Sequence, residues 1–169
     1  MPDREFFRQD AVTLARALVG KLLVRTFPDG RELRLRISET EAYLGVEDSA
    51  CHAHKGKTSR TEVLWRDGGT IYVYLCYGMH EMLNIVSGTE GDPQAVLIRG
   101  VEGYDGPGKL TKALGIGRAL NREDILSCHA LRIEDDGAEV NMTSLPRVGI
   151  GYADEADRNA LWRFRLKKS

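Results

Sequence analysis

The chain has 169 residues, 42% hydrophobic and 29% charged, which is the size and composition of one globular domain able to bury about two-thirds of its unfolded surface without a disulfide or a metal. Its longest aliphatic run, Ala95–Ile98, is far short of the ~20 apolar residues that span a bilayer, and Met1-Pro2-Asp3-Arg4-Glu5 has no signal-peptide character. Three cysteines (Cys51, Cys76, Cys128) without such a signal fit reduced thiols, and a net charge of −1 excludes the simplest nucleic-acid binder, a strongly basic chain.

Residues 10–20 predict a helix, with Asp10 as N-cap, Ala11, Leu14, Ala15 and Leu18 on one face, and Gly20 at the stop. A strand over Lys21–Thr26 and a turn at Pro28-Asp29-Gly30 lead into a second strand. There Leu33, Leu35 and Ile37 alternate with polar residues, the period of a half-buried strand. If the alternation continues, Glu39, Glu41 and Tyr43 join that buried side, where two carboxylates need partners or a function. A bulge or strand end after Ile37 would instead return both carboxylates to solvent; the pattern alone leaves the two readings even.

Residues 45–69 have no clean period and read as a long irregular loop, a feature often tied to function. Thr70–Tyr77 is a strong strand, and His80–Val86 pairs with it in a hairpin whose tip is Tyr77-Gly78-Met79. Alternation sets Tyr72 and Tyr74 opposite Ile71, Val73 and Leu75. A third strong strand covers Gln94–Val101. Pro107–Leu114 is a short helix stopped at Gly115, and a further short helix is expected from Asn121, with Glu123 and Asp124 in its first turn. The order, a helix and then many strands with short helices between, predicts a single mixed α+β domain spanning residues 1–169.

Cys51-His52-Ala53-His54 invites a zinc reading, with Cys76, His80, Cys128 and His129 as further ligands. The spacing matches no structural zinc pattern, so no metal is expected. Gly103–Lys109 fits the first seven places of a phosphate-binding loop. Leu110 stands where Ser or Thr must hold magnesium, which leaves a helix start able to hold one phosphate or simply a helix start. Tyr72, Tyr74 and Tyr77 crowd one hairpin; aromatic faces beside bases are what stacking on a nucleobase requires. Acids cluster from Glu39 to Asp48, and bases from His52 to Arg66 and from Arg158 to Lys168.

Glu39-Thr40-Glu41-Ala42-Tyr43-Leu44-Gly45, Glu47-Asp48, His52, Thr70–Met79 and Asn84 closely resemble the alkyladenine (3-methyladenine, methylpurine) DNA glycosylase family. The likeness runs from Glu5-Phe6-Phe7 through Ala95–Arg99 and Gly106–Leu110 to Arg147–Gly151 and Leu161–Phe164. It implies a curved antiparallel sheet with a protruding hairpin, flanked by short helices, and a monofunctional enzyme of base excision repair that flips damaged purines from duplex DNA and hydrolyses their bond to the sugar. Implied substrates are 3-methyladenine, 7-methylguanine, hypoxanthine and etheno-adenine. By motif match, Glu41 activates the attacking water, Arg99 holds that water and the target phosphate, and the Val148 carbonyl contacts the water. Tyr43, His52 and Tyr74 enclose the base, Asn84 excludes normal guanine, Leu97 lines the pocket, and Tyr77 fills the hole in the duplex. Met79 and His80 lie at the hairpin tip, and Lys109 and Arg118 match cations on the DNA backbone, with Lys57 and Arg60 as weaker candidates. His80 stands where the family often has Tyr. No cofactor, obligate protein partner or membrane is implied; a monomer is. The compact chain leans towards a bacterial, nucleoid-associated cytoplasmic protein, or a nuclear one if eukaryotic.

Between Arg99 and Gly106 this chain keeps six residues where most relatives carry a longer insert with extra helix, which puts DNA grip near that edge in question. A binding module without chemistry and a metal-dependent hydrolase built on the histidines are the alternatives. Because affinity follows the number of phosphates neutralised, binding to duplex DNA is expected to be modest and to weaken as salt rises. A Kd unchanged between low and high salt would contradict this.

Overall fold

The alternating segment around Ile37 organises the fold. In a computed structural model, which describes residues 1–167, it is one 12-residue strand. The elements in chain order are α1 (Arg4–Phe7), α2 (Ala11–Leu18), β1 (Leu22–Thr26), β2 (Glu32–Tyr43), β3 (Ile71–Cys76), β4 (His80–Ser87), β5 (Gln94–Val101), β6 (Tyr104–Asp105), α3 (Pro107–Leu114), β7 (Leu131–Glu134), β8 (Met142–Leu145), α4 (Glu155–Asn159) and β9 (Arg163–Leu166). All strands pair antiparallel in a curled sheet of order β3-β4-β5-β2-β1-β7, with β6 on β5 and β9, carrying β8, on β2.

Local chemistry explains most of these elements. Asp10 accepts a hydrogen bond from the Thr13 amide (2.8 Å) and starts α2. α3 begins on Pro107 and ends at Gly115, whose φ of 61° closes the last turn. One face of the sheet packs on α2 and α3: Leu14, Leu18, Leu110 and Leu114 meet Ile37, Ile71, Val73, Val96 and Ile98 in the main core. The opposite face of β3–β5 carries Tyr72, Val86 and Ala95 against Cys51, Ala53, Val63 and Leu64 of the long loop. Tyr72 and Ile71 thus lie on opposite faces, as alternation predicts.

The alternation of β2 does not persist through Ile37. In its pairing with β5, Ile37 opposes Val101, Glu39 opposes Gly100 and Thr40 opposes Ile98, so Ser38 on one strand and Arg99 on the other have no partner. These paired irregularities reverse the facing of β2. Ile37 and Ala42 both reach the helix-covered core, and the Thr40 hydroxyl donates to the Ala15 carbonyl of α2 (2.8 Å). Glu39, Glu41 and Tyr43 therefore point to the face away from α2. The expectation of buried carboxylates holds, but their face is not the one that continues from Ile37; and the bulge that threatened to expose them buries them instead.

Two other expectations are corrected. The loop at 45–69 contains two short 3-10 helices, His52–Lys55 and Thr61–Trp65. No helix begins at Asn121: a 3-10 turn, Arg118–Leu120, ends there, and Arg122 adopts a φ of 77°. The segment serves β3 instead. Its backbone bonds Ile71 through Arg122 and Glu123, and Asn121 Oδ1 accepts from the Val73 amide (3.0 Å). Asp124, expected in a helical first turn, pairs with Arg4.

The long loop is pinned from beneath by a buried ion pair. Arg147 Nη1 and Nη2 donate to Asp48 Oδ2 (2.6 Å) and Oδ1 (2.9 Å), and both side chains are excluded from solvent. Arg147 also donates to the Ala42 carbonyl, while Asp48 accepts from the Leu44 and Ala50 amides. The guanidinium lies between the rings of Tyr43 (4.8 Å) and Trp162 (4.9 Å). Removing one partner strands a buried charge, so Arg147→Met is expected to cost about 3–5 kcal/mol. Denaturant unfolding measures this; a loss below about 1 kcal/mol would show that the loop is held otherwise.

Candidate active site

Glu41 is wholly buried at the floor of an open cleft of about 410 Å³, within the range of about 300–1,000 Å³ usual for small-molecule sites. Its Oε1 accepts from the Tyr43 hydroxyl (2.8 Å) and its Oε2 from the Val148 amide (2.6 Å). Arg99 Nη1 stands 4.0 Å from Oε1, an ion pair without a hydrogen bond. Burial raises the Glu41 pKa above the ordinary carboxylate value, against the opposing pull of Arg99, the Val148 amide and Tyr43. Burial and the neighbouring Glu41 charge likewise hold Tyr43 well above the usual phenol range, so its hydroxyl remains a donor.

The walls are aromatic. Tyr43, His52, Tyr74, Leu97, Ile150 and Tyr152 line the cleft with Glu41 and Arg99. The His52 and Tyr74 rings meet edge to face, with centroids 4.5 Å apart. His52 Nδ1 shares a hydrogen bond with the Tyr72 hydroxyl (2.9 Å). Burial, then the nearby Arg60 charge, lower the His52 pKa to about 4, so the ring is neutral at physiological pH. Asn84 lines a smaller recess shared with Tyr43, His52, Tyr72 and Tyr74. Its amide donates to the Tyr72 and Met82 carbonyls (3.3 Å each), which fixes the side chain.

At the mouth of the cleft stands the β3–β4 turn. Tyr77 is 90% exposed and held at a φ of 51°, an uncommon conformation for a residue other than glycine. Met79 beside it is 74% exposed. A large aromatic ring and a methionine are thus displayed together on a tight turn at the rim of the cleft.

This arrangement has counterparts. The sequence model of the methylpurine-DNA glycosylase family matches residues 5–106 and 103–169. A protein of Borreliella burgdorferi is 46% identical over 178 aligned residues, covering 98% of this chain and 95% of its own. Relatives from Methanocella arvoryzae (43%, 98% and 92% covered) and Natranaerobius thermophilus (40%, 98% and 94%) are also alike; all three are provisionally named 3-methyladenine DNA glycosylases. The chain belongs to the methylpurine-DNA glycosylase family. It is a DNA glycosylase, a hydrolase of N-glycosyl bonds that acts on damaged DNA. The two matched segments of the family model overlap at residues 103–106, from the β5–β6 turn to the start of α3.

Of the glycosylase residues expected from the sequence, Glu41, Tyr43, His52, Tyr74, Tyr77, Leu97, Arg99 and Val148 share the cleft, and Asn84 lies in the adjoining recess. Val148 meets Glu41 through its amide. Met79, His80, Lys109 and Arg118 are exposed outside the cleft. His80 lies against Gly108 at the start of α3, and Arg118 pairs with Glu81 (3.3 Å). Arg60 overlies Tyr74 (5.8 Å) at the cleft edge, and Lys57 overlies Trp65 (5.8 Å). His54 Nδ1 bonds the Val46 carbonyl; among the described residues no three His, Cys, Asp or Glu side chains gather as a metal site.

Sequence reasoning missed Tyr152, Arg163 and the pairing of Asp48 with Arg147. Tyr152 borders the cleft and the recess, with its hydroxyl on the Ala50 carbonyl (2.9 Å). No local signal marks an ion pair formed across 99 positions.

The depressed His52 pKa has a stability consequence of definite sign. Below the ordinary value of 6.5 the unfolded chain takes up a proton that the folded chain refuses until about pH 4, so stability falls through that window. Between pH 7 and 5 the loss is roughly 1–2 kcal/mol. His52→Gln lacks this titration, so its stability deficit relative to wild type should shrink as pH falls. Parallel unfolding curves at pH 7 and 5 would rule the effect out if the deficit stays constant.

Proposed function

We propose that this glycosylase turns a damaged purine nucleotide out of duplex DNA and hydrolyses its bond to the sugar with a water activated by Glu41. The substrates proposed are 3-methyladenine, 7-methylguanine, hypoxanthine and etheno-adenine. The observation that carries the reading is a wholly buried carboxylate on the floor of an aromatic cleft, with an exposed tyrosine on a tight turn at its mouth.

Tyr77 enters the duplex and occupies the space left by the extruded nucleotide, offsetting an unstacking cost of a few kcal/mol. The base seats between Tyr43, Tyr74 and His52. Neutral His52 adds no positive charge beside the cationic bases 3-methyladenine and 7-methylguanine. The fixed Asn84 amide meets the exocyclic amine of a normal guanine and excludes it. The water oxygen bonds to the anomeric carbon as the carbon–nitrogen bond breaks and its electron pair leaves with the base. The proton of the water passes to Glu41, whose negative charge also favours the cationic, oxocarbenium-like transition state. The Arg99 guanidinium holds the water and the target phosphate, and the Val148 carbonyl gives the water a further contact. The net charge of −1 is offset locally by Lys109 and Arg60, and by Arg118 where the phosphate competes with Glu81.

Single-turnover release of free base from duplexes carrying one hypoxanthine or one 3-methyladenine tests the reading. Wild type should release base, and Glu41→Gln should be at least about 10²-fold slower while still binding. Because burial raises the Glu41 pKa, and the base must be ionised, the wild-type rate should rise with pH up to a limit above the ordinary carboxylate value. If both proteins bind the duplex and neither releases base, the fold is a binding module. If release occurs but vanishes on chelation, a metal-dependent mechanism replaces this one.

A further inference from the structure

Glu39, two residues before Glu41 on the same face of β2, has no role in the reading above, yet it lies at the centre of a charge network. Its carboxylate is nearly buried and Oε2 accepts from Arg163 Nη1 (2.7 Å). The same oxygen lies 3.8 Å from Arg99 Nε. Arg163 of β9 is itself anchored, with Nε donating to the Pro146 carbonyl (2.8 Å). Two arginines and two carboxylates therefore meet in one partly buried cluster, and only one pair of them bonds closely.

Arg99 is the group left between. It stands 3.8 Å from Glu39 and 4.0 Å from Glu41, whereas a charge-assisted bond closes to about 2.7–2.9 Å. Its Nε is buried with no hydrogen-bond partner, at a cost the fold must bear. The cause is backbone geometry: Arg99 is the unpaired residue of β5 opposite the irregularity that re-aims Glu39. Without the opposing charge of Glu39, the Coulomb attraction in this low-dielectric setting would draw Arg99 onto Glu41.

We propose that Glu39 and Arg163 form a positioning pair: Glu39 holds Arg99 between two carboxylates, so that Glu41 keeps a free lone pair for the water and Arg99 keeps free donors for a phosphate or that water. Arg163 completes the device by neutralising Glu39 enough that it does not capture Arg99 outright. Neither residue touches the reacting atoms. The inference rests on the reading of Glu41 as the base.

The groups that act on Glu41 are Tyr43 from β2, Arg99 from β5, Tyr74 from β3, and Arg147, the Val148 amide and Tyr152 from the loop after β8, while Glu39 lies two residues along the same face of β2 and Arg163 opposite Glu41 on β9. Two substitutions perturb this set in opposite senses. Glu39→Gln removes a neighbouring negative charge and releases Arg99 towards Glu41, so Glu41 should titrate about one pH unit lower than in wild type. Arg163→Gln unbalances Glu39, which then draws Arg99 away, so Glu41 should titrate about one pH unit higher. Carbon-detected NMR of the side-chain carboxyl reads this directly, with the Glu41 signal assigned by its absence in Glu41→Gln.

Opposite shifts that collapse when Arg99 is also replaced by Gln support the positioning pair. Unchanged midpoints, shifts in the same sense, or opposite shifts of undiminished size in the Arg99→Gln background overturn it, since bare charge removal moves Glu41 whether or not Arg99 moves. If Glu39→Gln does not fold, Arg163→Gln decides alone: a rise that depends on Arg99 supports the pair, and no change, a fall or a rise that survives Arg99→Gln refutes it. The NMR readout does not depend on turnover. Opposite shifts in a protein that releases no base would sustain the pair and refute the glycosylase reading of this site; base release with unmoved midpoints would do the reverse.

Discussion

The buried pair of Asp48 and Arg147 is the constraint on which the cleft depends. Asp48 opens the long loop that carries His52, and Arg147 directly precedes Val148, whose amide meets Glu41. Two irregular segments far apart in sequence are thereby clamped to one strand end, because Arg147 also bonds the Ala42 carbonyl. The clamp works in an apolar setting, between Tyr43 and Trp162, where a charge has no cheap alternative partner. The same Tyr43 ring then turns its hydroxyl to Glu41. Loop position, wall and carboxylate orientation thus follow from one ion pair.

A buried carboxylate is a poor device for stability and a good one for chemistry. Burial raises the pKa of Glu41, while the Arg99 charge and two hydrogen bonds limit the rise. Had Arg99 closed on Glu41, the charge would be better compensated and the oxygens less free. The matched irregularities at Ser38 and Arg99 turn the shared face of Glu39 and Glu41 away from α2, where both carboxylates lie about 4 Å from the Arg99 guanidinium. The sheet gives up two ladder positions to do so, a use of bulges common beside active sites.

The connection between Arg99 and Gly106 is compact. Val101 pairs with Tyr104 across a two-residue turn, and Gly106 leads straight into α3. The cleft residues lie on strands and loops outside this turn.

The sequence by itself determined those features that local rules encode. Asp10, Pro107 and Gly115 set helix ends through groups within a few residues. The period of Ile71–Cys76 separated Tyr72 and Tyr74 from the core face, and the motif around Glu41 identified the family. It misjudged Asn121–Asp124, whose polar groups serve β3 and Arg4 rather than a helix. Tertiary structure alone decided the face of Glu41, since the register change requires β5 opposite β2 and alternation carries no mark of it. It alone joined Asp48 to Arg147 and Glu39 to Arg163, pairs 99 and 124 positions apart. Backbone propensities act over neighbouring residues, whereas the energy of a buried charge depends on whatever the fold brings within a few ångströms.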